Sequence, residues 1–294
     1  LHIPSHRTVS RTVIIAAICV FSTQFGVTVI TPLLGWWKES VGASYLATTM
    51  IFSAFTIVST PLSIHGGIIS DNLGRKPLVI AGLLLYAVAS FLFPFSGSTY
   101  DWIVVRALQG AGAGFFFPAV TALLSEVTSY EERGHALSVY NVGLGAGLAA
   151  GPISGGFLFD NYGIAMPFFF CAAFALLSVV FVLLFVHEPK ERLKREEGGL
   201  ALNSKEKKAL TLSCVMIFFG IGVAGIMGAL FAPFAAETVS LSDHQLTSGI
   251  VVRAAAIIGA ILSTMFVVFA VLQAGFNSLM KYVGELVLSL LGLF

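Results

Sequence analysis

Apolar runs of about 20 residues, set apart by short polar clusters, repeat along this chain, and that is the length a helix needs to cross a hydrocarbon core of ~30 Å. The spacing predicts spans near 12–34, 45–69, 78–96, 101–125, 135–158, 164–186, 210–235 and 245–271, with a ninth beginning near 284. Composition agrees. Residues are 57% hydrophobic and 11% charged, where a soluble domain carries about a quarter charged. Gly and Pro inside the runs suit membrane helices, whose neighbours re-satisfy the backbone. The first run is too long for a cleaved signal and seven more follow it, so the expected fold class is all-α, a polytopic transmembrane helical bundle.

Positive charge sets an expected orientation. With the N-terminus in the cytoplasm, inside segments hold thirteen of the sixteen Lys and Arg residues; Lys38 lies outside, and Arg106 and Arg253 fall within spans. That asymmetry predicts a multi-pass plasma-membrane protein. Cys19, Cys171 and Cys214 all fall inside predicted spans, which points to burial rather than to disulfides.

The longest polar segment, "HEPKERLKREEGGLALNSKEKKAL", divides the chain. It predicts an N-terminal six-helix bundle over 1–186, a solvated cytoplasmic linker over 187–209, and a partial C-terminal bundle over 210–294 with helices seven, eight and the start of nine. A weak repeat supports the division: Gly74 and Gly82 align with Gly284 and Gly292. Repeats of this kind typify transporters that rock one half against the other.

Between the second and third runs lies "GGIISDNLGRKP", residues 66–77, with three glycines, Asp71, Arg75 and Lys76. Its glycines permit a tight turn and close helix approach. Asp71 is expected near the start of the third helix, where a carboxylate is favoured, with Arg75 and Lys76 at the inner headgroups. A plain topology anchor and a conformational switch both fit these residues. On the fifth run Gly143, Gly147, Gly151 and Gly155 recur every four residues, a stripe along which helices approach closely, and Pro152 is expected to bend it.

These segments carry a resemblance. Gly67, Asp71, Gly74, Arg75 and Lys76 resemble the loop motif of the major facilitator superfamily. "RALQGAGAG" from Arg106 is similar to its fourth-helix pattern, "ERGHALS" to its loop between helices four and five, and "GLAAGPISGG" to the fifth-helix motif of its drug/proton antiporter branch. The resemblance implies a major facilitator-type six-helix N-terminal half plus a truncated C-terminal half. It implies that Asp71 and Arg75 form a cytoplasmic latch with Gly67, Gly74 and Lys76, made and broken by the opposite half. Asn72 stands where the family commonly has Arg. The resemblance also makes Gly147, Gly151, Pro152, Gly155 and Gly156 a helix-bending motif. Since the family has twelve helices and this chain stops within a ninth, it is expected to be a fragment, and a monomer in its complete form.

Arg106, about six residues into an apolar run, has two readings. It snorkels outward, or it faces a water-filled cavity with Gln109 and serves an anionic group or a proton site. Gln24, Thr28 and Thr31 form a polar stripe on the first helix that suits either a cavity wall or a helix–helix seam. His65 is a candidate coupling residue or serves as a structural hydrogen-bonding group, and Glu126 is a weaker coupling candidate. The phenylalanines at 115–117 and 168–170 suit lipid or a hydrophobic substrate. All 15 acidic residues lie in loops or near helix ends, so no proton carrier is obvious.

The expected function is secondary active transport, as proton-coupled efflux of small amphipathic molecules by alternating access. Uptake of a small metabolite or sugar, and a non-transporting truncated or sensor protein, stand as alternatives. Expected partners are a small-molecule substrate, protons and the lipid bilayer. No nucleophile–base set, metal-ligand spacing or basic surface domain is found, so no enzyme, cofactor, metal or nucleic-acid role is expected.

Overall fold

A computed structural model describes residues 6–129, 132–188, 244–245, 251–252, 257, 259–264 and 267 of the chain. Up to residue 188 these form α1 (His6–Thr28), α2 (Leu33–Val41), α3 (Tyr45–Leu73), α4 (Arg75–Leu92), α5 (Thr99–Val127), α6 (Arg133–Tyr162) and α7 (Ala165–Phe185), with a 3-10 turn at Phe93–Phe95. Among the described residues, six helical spans are long and apolar enough to cross a membrane, α1 and α2 together forming the first, Arg11–Lys38. The all-helical expectation holds. The expected seventh span and the repeat copy after residue 277 lie outside the described residues.

Helix boundaries follow local chemistry. Ser98 starts α5 with a capping box: its hydroxyl accepts from the Asp101 amide at 3.1 Å, and the Asp101 carboxylate accepts from the Ser98 amide at 3.0 Å. Ser44 caps α3 by accepting from the Ala47 amide at 3.2 Å.

Two expectations about spans need correction. The first span is not continuous. Pro32 has no N–H to give Thr28, so the Thr31 amide turns back to the Thr28 carbonyl at 3.0 Å and the Leu33 amide to Ile30 at 2.9 Å, breaking the helix between Thr28 and Leu33. The eighth span does not begin at 245: His244–Gln245 pair antiparallel with Val251–Val252, and the described helical residues start at 257. The β-branched pair Val251–Val252 suits that extended pairing better than a helix start.

Lipid tails give apolar helices no hydrophobic reason to associate, so close packing must do it. Small residues provide it here. On α5, Gly110 and Gly114 lie against Phe55 and Ser59 of α3, while Gly112, on another face, meets Gly82 and Tyr86 of α4. The stripe of α6 lies along α1: a Cβ on Gly147 would stand 2.5 Å from the Phe21 carbonyl oxygen, and one on Gly151 2.7 Å from that of Phe25. The resulting pairs are α3 with α5, α1 with α6, and α4 with both α5 and α7.

Among the described residues, two of the apolar clusters lie toward opposite ends of the bundle. One, near the Gly74 end, includes Cys19, Leu83, Phe116, Leu123 and Val182. The other, toward the opposite end, stacks Trp37 on Trp102 at 4.0 Å and Phe93 on Phe168 at 4.4 Å. Cys19 and Cys171 are buried free thiols, and Cys214 lies outside the described residues. The phenylalanines divide: Phe116 and Phe168 are buried core, whereas Phe170 is exposed.

Candidate functional site

Two polar centres are built into the apolar bundle, one at the α3–α4 turn and one beside the break in the first span. At the turn, Gly74 separates the helices with φ +113°, a backbone state that residues with a Cβ rarely adopt. Asp71 therefore sits in the last turn of α3 and not, as expected, at the start of the third span; the α3 helix runs four residues past the expected end at 69. Arg75, the first residue of α4, folds back over it.

The Arg75 guanidinium is buried and fully engaged. Nη1 pairs with Asp71 Oδ1 at 2.6 Å and donates to Ser70 Oγ at 2.9 Å. Nε and Nη2 both donate to Glu126 Oε1 of α5, at 2.9 and 2.7 Å. One cation thus joins α3, α4 and α5. The Asp71 side chain is 43% exposed while that of Glu126 is 3% exposed, so the two carboxylates differ in their access to water.

The carboxylate at the start of α4 is Glu188, from beyond α7. Its Oε1 accepts from the Arg75 amide and its Oε2 from the Lys76 amide, each at 2.7 Å. Lys76 Nζ in return donates to the Leu183 carbonyl in the last turn of α7 at 3.1 Å. Of the motif glycines, Gly67 has open space where a Cβ would stand; the close approach belongs to Gly66, whose Cβ position lies 2.7 Å from the Gly114 carbonyl oxygen of α5.

Deeper in the bundle, Arg106 of α5 is 1% exposed, which excludes snorkelling. The break in the first span supplies its partners. Val27 O, abandoned by the Thr31 amide, accepts from Nη2 at 2.6 Å, and Gly26 O from Nη1 at 3.4 Å. The α1 carbonyl end carries partial negative charge suited to a cation. Gln109 Oε1 accepts from Nη1 at 2.8 Å, and Gln109 Nε2 passes the chain on to Ser90 Oγ of α4 at 2.8 Å. Phe55 lies under the guanidinium at 5.0 Å. The Nε of Arg106 and the hydroxyl of Thr31 are buried without a hydrogen-bond partner.

The remaining candidates divide between seam and surface. Thr28 is buried against α6, where its hydroxyl lies 3.3 Å from the Leu148 carbonyl and 3.1 Å from that of Gln24. Leu148 is four residues before Pro152, so its carbonyl is the one that the proline leaves without an amide. Pro152 is accommodated inside α6, which continues to Tyr162. Gly155 and Gly156 are buried in the same helix, and Gln24 is half-buried. His65 is exposed, its Nδ1 3.0 Å from the Pro61 carbonyl of its own helix. The structure therefore brings Asp71, Gly74, Arg75 and Lys76 together, and Arg106 with Gln109, but His65 joins neither group.

Sequence reasoning missed Glu188 and Ser90 and ranked Glu126 low. Glu188 lay in a charge run that reads as solvated linker. Pro32 was a visible signal for the break that orients Arg106.

Comparison with known proteins fits this architecture. A model of the Major Facilitator Superfamily matches residues 16–294. Multidrug resistance protein 2 of Bacillus subtilis is 31% identical over 272 residues, which cover 90% of this chain and 66% of that protein. Quinolone resistance protein NorA of Staphylococcus aureus is 23% identical over 271 residues, 91% of this chain and 66% of NorA. Among solved structures, a bacterial homolog of the human lysosomal transporter Spinster, inward-facing and unoccupied, superposes with a TM-score of 0.67 at 15% identity, covering 88% of this chain and 60% of that one. The chain thus spans about two-thirds of the length of these two curated relatives.

Proposed function

The chain belongs to the major facilitator superfamily, and on that footing we propose that it is part of a secondary active transporter that moves small amphipathic molecules outward in exchange for protons by alternating access. The six-span half over 1–186, the linker over 187–209 and the partial second half over 210–294 are the moving units in this reading. The names of the two curated relatives, multidrug and quinolone resistance proteins, favour efflux.

One observation carries the proposal: a buried guanidinium in a membrane span whose hydrogen-bond partners are neutral. Arg106 bonds to Gln109 and to the carbonyls of Gly26 and Val27. A charged residue at membrane depth costs roughly 2.5–3.5 kcal/mol on insertion scales, and such residues are kept where they mark a pathway or a relay. Arg106 and Gln109 would hold a proton-linked or anionic group, with Gln24 and Thr28 on the adjoining helix and His65 as an outlying candidate. Asp71 and Arg75, with Gly67, Gly74 and Lys76, act as the latch of the cytoplasmic side. The motif Gly147, Gly151, Pro152, Gly155 and Gly156 provides the bending element.

The test is transport of ethidium and of a quinolone by the full-length protein in inverted membrane vesicles under an imposed pH gradient. Gradient-dependent accumulation that disappears in Arg106→Ala is expected. Transport indifferent to the gradient overturns proton coupling, and movement in the opposite direction makes the protein an uptake system.

A further inference from the structure

We propose that Glu188 is a positioning residue for the Arg75 latch, acting as the built-in anion of the α4 N-terminus and tying the entry of the linker to the turn between α3 and α4. The inference rests on the latch reading given above.

The first turn of any helix offers amides without an acceptor inside the helix. In α4 these belong to Arg75 and Lys76, because Pro77 has none and the Gly74 amide bonds back to the Ser70 carbonyl. Glu188 takes both, one with each carboxylate oxygen, at 2.7 Å. Charge-assisted bonds to a helix N-terminus are the strong kind, since the carboxylate meets both the N–H groups and the positive end of the dipole. Pro77 leaves no third amide between these two and Leu78, and its fixed φ suits the start of a helix.

Gly74 makes the room. A Cβ at this position would stand 2.7 Å from Glu188 Oε1 and 3.2 Å from its Cδ. The motif glycine thus has two duties in this protein: the positive φ of the turn and the space for a carboxylate that arrives from 114 residues further along the chain. Lys76 completes the clasp in the opposite sense, its ammonium on the carbonyl end of α7 at Leu183. Each helix end is matched by charge from the other.

The backbone that Glu188 grips is that of the latch residue itself. Arg75 must project from the first turn of α4 so that its guanidinium lies between Asp71 and Glu126. With the Arg75 and Lys76 amides fixed, the direction of that side chain is fixed too. Glu188 is the second residue of the linker read from the sequence, so the exit from α7 and the setting of the latch share one carboxylate.

Hydrogen exchange on the full-length protein in nanodiscs tests this directly. Over residues 74–78 Glu188→Ala is expected to add two fast-exchanging amides, and Glu188→Gln, whose amide group has a single acceptor oxygen, at least one. Asp71→Ala should leave both amides protected. Transport in Glu188→Ala is expected to slow about three- to tenfold, and the double variant Glu188→Ala/Arg75→Ala to be no slower than Arg75→Ala alone, because the first acts through the second. Unchanged exchange in both Glu188 variants overturns the clasp, and additive slowing overturns its action through Arg75. Full transport in Asp71→Ala and Arg75→Ala, with exchange still dependent on Glu188, would instead remove the latch reading and leave the clasp standing.

Discussion

Arg75 places two of its nitrogens, Nε and Nη2, on a single oxygen of Glu126, at 2.9 and 2.7 Å. Both side chains are nearly dry, whereas Asp71, the other acid on the same guanidinium, is open to water. Glu126 is thus the buried anchoring partner of Arg75, and Asp71 the one that water reaches.

Glu126→Gln and Asp71→Asn should accordingly differ. Removing a buried partner strips compensation from a buried charge and costs up to about 3 kcal/mol, while an exposed one is worth about 1 kcal/mol or less. Thermal unfolding in detergent checks this, with the larger fall in midpoint expected for Glu126→Gln.

Arg106→Lys is expected to fail almost as fully as Arg106→Ala. An ammonium has one nitrogen and cannot reach Val27 O, Gly26 O and Gln109 Oε1 with the planar fork that spans them here. Transport rates in vesicles should fall by about tenfold or more in both variants.

Thr28→Val removes the hydroxyl that lies over the carbonyl freed by Pro152, at a cost of about 1 kcal/mol. Pro152→Ala restores an amide for Leu148 O. The double variant should therefore lose less than the sum of the singles, measured by a double-mutant cycle on unfolding midpoints.

Gly151→Ala tests the α1–α6 seam. Its added methyl would meet the Phe25 carbonyl at 2.7 Å and the Thr28 hydroxyl, neither of which can retreat without opening the helix pair. Overpacking of this kind costs roughly 1–3 kcal/mol. Gly67→Ala, where no atom lies within 4 Å, should be near neutral in the same thermal assay.

The helices were legible because membrane spans announce themselves by length and apolar content, and the α6 stripe because four-residue spacing puts Gly143 to Gly155 on one face. Burial of Arg106 was not, since a single side chain's direction depends on carbonyls released in a different helix by Pro32. Asp71 was placed on the wrong helix because α3 runs past the expected end at 69 to Leu73 and turns only at Gly74, whose positive φ no apolar count reveals. Glu188 was beyond local reasoning: its contact with Arg75 exists only because α4 packs on α7.

The unwound turn in the first span has one further consequence. Val27 O accepts from the Arg106 guanidinium, while the Thr31 amide that would take it in a regular helix bonds to the Thr28 carbonyl instead. Rewinding that turn into a straight rod would make the Thr31 amide share Val27 O with the cation, so the curvature of the first span and the grip on the Arg106 guanidinium are linked.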